Sequence, residues 1–116
     1  WLYVSRTPHD QYAWLQQQSL APEQRRTIDR VFRKYKAECR QLRRKTVDLV
    51  LKARMQHGAI VHPRMNSGEL QDENVKTIYR EMVRNSGERE SLHRRTADRI
   101  ESALDADLRR RMEKEM

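Results

Sequence analysis

The sequence predicts an all-α fold of four helices in the order short, long, long, short. Of its 116 residues, 36% are hydrophobic and 36% are charged, with only three Gly and three Pro. That composition is typical of long helices with narrow apolar stripes. A phrase that starts a helix also occurs twice, about 84 positions apart, as SLAPEQRR and ALDADLRR. Each copy ends one helix, turns the chain and begins the next.

A short helix is predicted over residues 8–18, with Tyr12, Trp14 and Leu15 as its apolar face. Residues 1–7 are interpreted either as the tail of a signal or membrane anchor or as an ordinary apolar start. No segment of the sequence has the ~20 apolar residues that a bilayer-spanning helix needs.

The first long helix is predicted from Pro22, which suits a first helical position, to Met55. Gln24 lies three residues after Ala21, the place of the reaching-back residue in a capping box. The apolar residues of this helix recur in alternating steps of four and three, which predicts a seam against another helix. The seam comprises Ile28, Phe32, Tyr35, Cys39, Leu42, Thr46, Leu49 and Ala53.

Residues 56–71 are predicted to form a loop, and Asp72 to cap a second long helix over 72–104. The two long helices are similar in length, which favours an antiparallel hairpin. We expect the second one to continue through Gly87, although its apolar stripe thins between residues 85 and 91. The uncovered seam predicts pairing with a second chain, as a homodimer. The stripe comprises Val75, Ile78 or Tyr79, Met82, Leu92, Thr96, Ile100 and Ala103.

The last helix is predicted over residues 106–115, capped by Asp105. Cys39 is the single cysteine, so no intramolecular disulfide can form; its place on the seam predicts a buried small hydrophobe. The sequence contains no HExxH, phosphate-binding Gly loop or nucleophile elbow. We therefore predict neither an enzyme nor a cofactor.

The net charge of +8 is concentrated in one element. Residues 25–54 hold twelve basic and three acidic residues, a net charge of +9, whereas residues 69–116 hold eleven basic and twelve acidic, a net of −1. A helix of this charge can attract nucleic acid, anionic lipid or an acidic protein surface.

The segment LAPEQRR resembles the Leu-Thr-x-x-Gln motif of the periplasmic Spy/CpxP chaperone and stress-regulator family, and the Leu-x-Pro-Glu turns of the CnrX-like heavy-metal-resistance sensors. Ala21 replaces the usual threonine and Leu108 the second glutamine. The resemblance implies a hooked helical hairpin that dimerises, in a periplasmic stress-sensing or chaperone-like protein that can be anchored to the inner membrane. The helix-turn residues that carry it are Leu20, Pro22, Gln24, Leu104 and Asp105.

The resemblance also allows a test for metal sensing. The positions of the sensors' ligands hold Gln11, Leu15, Phe32, Thr96 and Ile100, none of which matches the ligand type. Soft or borderline metals prefer imidazole, thiolate or thioether ligands, so the sensors' metal site is predicted to be absent. If any metal binds, His57, His62 and His9 are the candidates, and Met55 and Met65 flank the first two of these.

In Spy-like proteins a cationic surface holds unfolded protein, which implies roles for Arg33, Arg40, Arg43 and Arg44. The alternative function is a cytoplasmic basic helical protein that binds nucleic acid. The sequence argues against it, because it shows no compact helix-turn-helix and no aromatic residues on the basic face. The simplest alternative is a solvated surface without a partner.

Overall fold

A computed structural model describes residues 7–116 of the chain. It confirms the all-α prediction, with no strand in this range and the helix order short, long, long, short. Most of the segment 1–7, with its possible anchor tail, lies outside the described residues. None of the helices after Thr7 is both long and apolar enough to cross a membrane. The helices are α1 (Pro8–Gln16), α2 (Pro22–His57), α3 (Glu73–Ser102) and α4 (Ala106–Glu115), and one 3-10 turn (Ser67–Glu69) precedes α3.

Capping hydrogen bonds determine where α1 begins and ends. Thr7 and Asp10 form a capping box, in which the Thr7 side chain accepts from the Asp10 N–H at 3.1 Å and the Asp10 carboxylate accepts from the Thr7 N–H at 3.4 Å. The helix ends two residues before the predicted end, because the N–H groups of Gln17 and Gln18 bond to carbonyls three residues back instead of four.

The two long helices also end within two residues of the prediction. Helix α2 continues to His57 and stops at Gly58, whose φ of +60° is left-handed and suits glycine. The Gly58 N–H bonds to the Arg54 carbonyl at 3.0 Å, as in an αL motif, and the Ala59 N–H reaches back to the Ala53 carbonyl at 3.0 Å. At the start of α3, the Asp72 carboxylate accepts from the Asn74 N–H at 2.8 Å, which confirms the predicted cap.

The chain folds into two compact units, the first ending at Ala37 and resuming at Leu92, the second spanning Glu38–Ser91. The first unit contains α1, α4, the start of α2 and the end of α3. The start of α2 and the end of α3 run antiparallel there, since Gln24 contacts Ala103 while Tyr35 contacts His93. Its core consists of Leu15, Ile28, Ile100, Leu104, Leu108 and Met112.

The second unit is a helical hairpin made of the end of α2, the loop and the start of α3. Its two helices are antiparallel and its loop contributes to the core through Val61. Helix α3 passes through Gly87 without a break, as predicted. Of the predicted seam, Cys39, Leu42, Thr46 and Leu49 are half-buried in this unit. The core consists of Ala53, Val61, Val75, Ile78 and Met82.

A buried asparagine fills the place where the apolar stripe of α3 was expected to thin. The Asn85 amide donates to the Leu42 carbonyl at 2.9 Å and to the Thr46 hydroxyl at 2.6 Å. These bonds join α2 to α3 within the second unit. Asn85 therefore continues the packed face of α3 with a polar side chain that the hydrophobic pattern did not reveal.

Candidate functional site

Three arginines of α2 in the second unit form an exposed cationic surface. We call Arg40, Arg43 and Arg44 the arginine face; all three are exposed, as the sequence predicted. Within residues 7–116, the ion pairs of the structure involve other residues and none of these three guanidinium groups. No carboxylate of residues 7–116 therefore forms an ion pair with the arginine face, and the exposed Asp48 lies one helical turn after Arg44.

Exposed aliphatic side chains follow these arginines along the same helix. Val47 is 49% exposed, Leu51 46% and Met55 80%. They continue from Arg40 and Arg44 in steps of four, three, four and four residues, the spacing of neighbours on one helix face. We call this row of five residues the α2 ridge. No role is predicted from the sequence for the aliphatic half of the ridge, although the spacing of Val47, Leu51 and Met55 is visible there and is out of phase with the seam.

The fourth predicted arginine, Arg33, belongs to the first unit. It is exposed there, as predicted. In the same unit the Lys36 ammonium lies over the Phe32 ring, 5.9 Å from its centroid. The basic character of α2 thus appears in both units, each of which presents its own part.

The two copies of the repeated phrase contact one another within the first unit. The Gln24 amide donates to the Ala103 carbonyl at 3.3 Å, directly before Leu104. Gln24 therefore bonds across to the second copy of the phrase through its amide N–H₂ group, and the capping-box role expected of its amide oxygen stays a prediction. Asp105 does cap α4, since its carboxylate accepts from the Leu108 N–H at 2.8 Å.

The first arginine of each copy closes the turn that precedes its helix. Arg25 donates to the Gln18 carbonyl at 3.1 Å, and Arg109 donates to the Leu104 carbonyl at 3.2 Å. Both carbonyls lie in the turns just beyond α1 and α3, where no helix supplies a donor, so the guanidinium groups satisfy them. The role of both arginines in the repeated phrase is structural.

An aromatic and histidine cluster connects α1, α2 and α3 in the first unit. The buried Tyr35 hydroxyl lies 2.6 Å from His93 Nδ1 and 3.5 Å from His9 Nδ1. His9 is also edge-on to the Phe32 ring, with centroids 5.2 Å apart. His9 thus takes part in aromatic packing.

Tyr12 extends this cluster through a polar contact. Its ring stacks on Phe32 with centroids 4.0 Å apart, and its hydroxyl donates to Asp29 Oδ1 at 2.6 Å. The hydrogen bond to Asp29, assisted by burial, raises the pKa of Tyr12 above its ordinary value. The proton of this hydroxyl is therefore held more tightly than that of a free tyrosine.

The five positions that the resemblance assigns to the sensors' ligands are buried in the first unit. Gln11 is fully buried and its amide donates to the Ala97 carbonyl at 3.3 Å. The other four positions, Leu15, Phe32, Thr96 and Ile100, are buried as well. Three apolar side chains, one hydroxyl and one amide offer no imidazole, thiolate or thioether to a soft or borderline metal.

The loop of the second unit holds its histidines in separate contacts. His57 Nδ1 lies 4.0 Å from Asp72 Oδ2, and His62 Nδ1 accepts from the Arg64 N–H at 3.0 Å. Met65 accepts from the His62 N–H through its sulfur at 3.4 Å. From Thr7 to Met116, no three His, Cys, Asp or Glu side chains gather as a metal site would require.

A shallow groove of about 370 Å³ lies between the two helices of the second unit. Its lining includes Lys45, Asp48, Glu81, Arg84 and Glu88, together with Leu49 and the buried Asn85. The charges are of mixed sign and the lining offers no thiol, hydroxyl or imidazole.

Fold and surface together define a small helical domain whose most distinctive exposed feature is the arginine face with its aliphatic continuation. No protein-family model matches the chain, and no curated protein or solved structure is significantly similar to it. The resemblance to the Spy/CpxP and CnrX-like families therefore stays a prediction from the motif residues.

Proposed function

We propose that this chain is a non-enzymatic, extracytoplasmic regulatory or chaperone-like domain of the stress-sensing type, which binds unfolded or regulatory envelope protein. The arginine face carries the proposal, because its three guanidinium groups are exposed and form no ion pair within residues 7–116. An acidic protein surface would supply the missing carboxylates, and charge-assisted hydrogen bonds are stronger than neutral ones.

The neighbouring aliphatic residues favour protein over nucleic acid as the partner. A phosphate backbone gains nothing from Val47, Leu51 or Met55, whereas an interface between proteins buries such side chains at its centre. The aromatic residues of the basic segment 25–54 are Phe32 and Tyr35. Both are buried, so they do not offer a surface on which bases could stack. Binding of nucleic acid is the competing function, and the experiment below separates the two.

We also propose that the domain works as a homodimer. Cys39, Leu42 and Leu49 lie on the seam but are only half-buried within the second unit. A second chain that covered them would remove more apolar surface from water.

Salt dependence distinguishes the two kinds of partner. Binding to phosphates is driven by release of counterions and weakens steeply with salt, while a protein interface with apolar contacts is less sensitive. The probes are duplex DNA and an unfolded acidic protein, each titrated from low to physiological salt. We expect DNA binding to vanish by physiological salt and binding of the unfolded protein to persist.

A charge-reversed variant locates the binding surface. Arg40→Glu with Arg44→Glu should weaken binding of the unfolded protein, while Arg94→Glu with Arg95→Glu, an equal change of net charge at exposed positions of α3, should leave it nearly unchanged. Sequence-selective DNA binding at physiological salt would contradict the proposal. If neither probe binds, the arginine face is only a solvated surface. Fractionation of the natural producer's cells tests the extracytoplasmic location separately.

A further inference from the structure

The α2 ridge has a chemical polarity along the helix axis. Its beginning consists of Arg40 and Arg44, and its end of Val47, Leu51 and Met55, all in the second unit and all exposed. From first to last residue the ridge is about 22 Å long at the usual helical rise. Charge therefore occupies one end of a single straight face and apolar surface the other.

The same ridge on a second copy of the chain does not complement this ridge. Two ridges in parallel would place guanidinium groups beside guanidinium groups, and two antiparallel ridges would place them against aliphatic side chains. The ridge itself contains no carboxylate that could neutralise Arg40 or Arg44. The occupant must therefore be a different surface that brings acidic groups.

A membrane surface is also a poor complement. A helix that lies in the lipid interface needs a broad apolar face, usually with aromatic residues. The aliphatic half of the ridge is one side chain wide and has the exposed Arg43 and Arg54 beside it. A narrow row of side chains spaced three or four residues apart suits packing against a second helix. In such packing the side chains of one helix fill the grooves of the other.

We propose that the α2 ridge binds an amphipathic helix of another protein, with carboxylates at one end of one face and aliphatic side chains at the other end of that face. This inference rests on the proposed protein-binding function and specifies its partner. The carboxylates pair with Arg40 and Arg44, and the aliphatic side chains cover Val47, Leu51 and Met55. A helix of about 18 residues is long enough to cover the ridge.

Synthetic helical peptides test the pattern directly. One peptide has glutamates followed by leucines on a single face, and a control peptide has the same composition with its leucines moved to the opposite face. Binding is measured by fluorescence anisotropy at physiological salt. We expect the patterned peptide to bind the wild-type protein at least about tenfold more tightly than the control peptide.

Charge reversal provides a rescue that a merely unfolded variant cannot give. The variant Arg40→Glu with Arg44→Glu should no longer bind the patterned peptide. It should instead bind a version of that peptide in which lysines replace the glutamates. Arg94→Glu with Arg95→Glu is the matched control and should bind as the wild type does. Leu51→Ser with Val47→Ser should weaken binding without changing its salt dependence.

The outcomes separate this inference from the proposed function. If unfolded acidic protein binds but the two peptides bind equally, the inference is overturned and the proposed function stands. If neither the unfolded protein nor the peptides bind, both are overturned. Binding to anionic vesicles that is lost in the variant with Arg40 and Arg44 reversed, together with no peptide binding, would identify a membrane as the occupant and overturn the inference.

Discussion

Replacing Asn85 by Leu tests how the packed face of α3 is built. Asn85 is only 4% exposed, and its amide donates to the Leu42 carbonyl and the Thr46 hydroxyl. Its Oδ1 atom is buried and has no hydrogen-bond partner within residues 7–116. A buried acceptor without a partner destabilises the fold by about 1–3 kcal/mol.

The two effects of Asn85→Leu on the free energy of unfolding oppose each other. Losing the two amide hydrogen bonds costs about 1 kcal/mol each, but leaves no donor without a partner, since the Thr46 hydroxyl still donates to the Leu42 carbonyl at 3.1 Å. Removing the unpaired Oδ1 and burying an aliphatic side chain of similar size together stabilise the folded state by about 3–4 kcal/mol. We expect a net stabilisation of about 1–2 kcal/mol, and a rise in Tm of about 5 °C.

The assay is urea unfolding followed by circular dichroism, with Asn85→Ala as the comparison. The alanine variant removes the same polar atoms but leaves a cavity, so it should be destabilised by about 2 kcal/mol. Destabilisation of Asn85→Leu by more than about 1 kcal/mol would refute this reasoning. It would mean that Oδ1 has a partner in solution, either an ordered water or a second chain.

Three further predictions concern the helices, the assembly and metals. Gly87→Ala should stabilise the protein by about 1 kcal/mol in the same assay, because Gly87 lies inside α3 and an added Cβ would meet nothing within 4 Å; destabilisation would indicate that another chain approaches the backbone there. Sedimentation equilibrium should give a dimer, because a second chain is proposed to cover the half-buried seam residues. A monomer at high micromolar concentration would contradict that proposal. Calorimetry should show that Ni²⁺, Co²⁺ and Zn²⁺ bind only weakly, whereas a stoichiometric sub-micromolar site would contradict the account and direct attention to His57 and His62.

The spacing of apolar residues was sufficient to predict the two long helices. All eight seam residues of α2 are buried or half-buried, because the alternation of four and three residues follows from helix geometry alone. The bounds predicted for α4 are confirmed, whereas the first three helices each end two residues away from the prediction. These ends depend on individual capping bonds, such as the Ala59 N–H to the Ala53 carbonyl, that periodicity does not encode.

The structural roles of polar residues could not be obtained in this way. Asn85 is buried because Leu42 and Thr46 across the hairpin offer it acceptors, and a pattern within one helix contains no information about the other. From the sequence alone, Arg25 and Arg109 cannot be distinguished from other surface charges. Their structural role follows from the carbonyls to which they donate, those of Gln18 and Leu104. The exposed Val47 was likewise assigned no role, since a row of aliphatic residues outside the seam has no partner within the second unit.

The central claim is that unfolded acidic protein binds at the arginine face and its aliphatic continuation. Site-specific crosslinking tests this claim most directly. A photoreactive residue replaces either Val47, which is 49% exposed on α2, or Val83, which is 43% exposed on α3 of the same unit. With a purified unfolded acidic protein as the probe, we expect strong crosslinking from position 47, little from position 83, and loss of the former when Arg40 and Arg44 are reversed to glutamate. Equal crosslinking from the two positions, or crosslinking from position 47 that survives the charge reversal, would contradict the account.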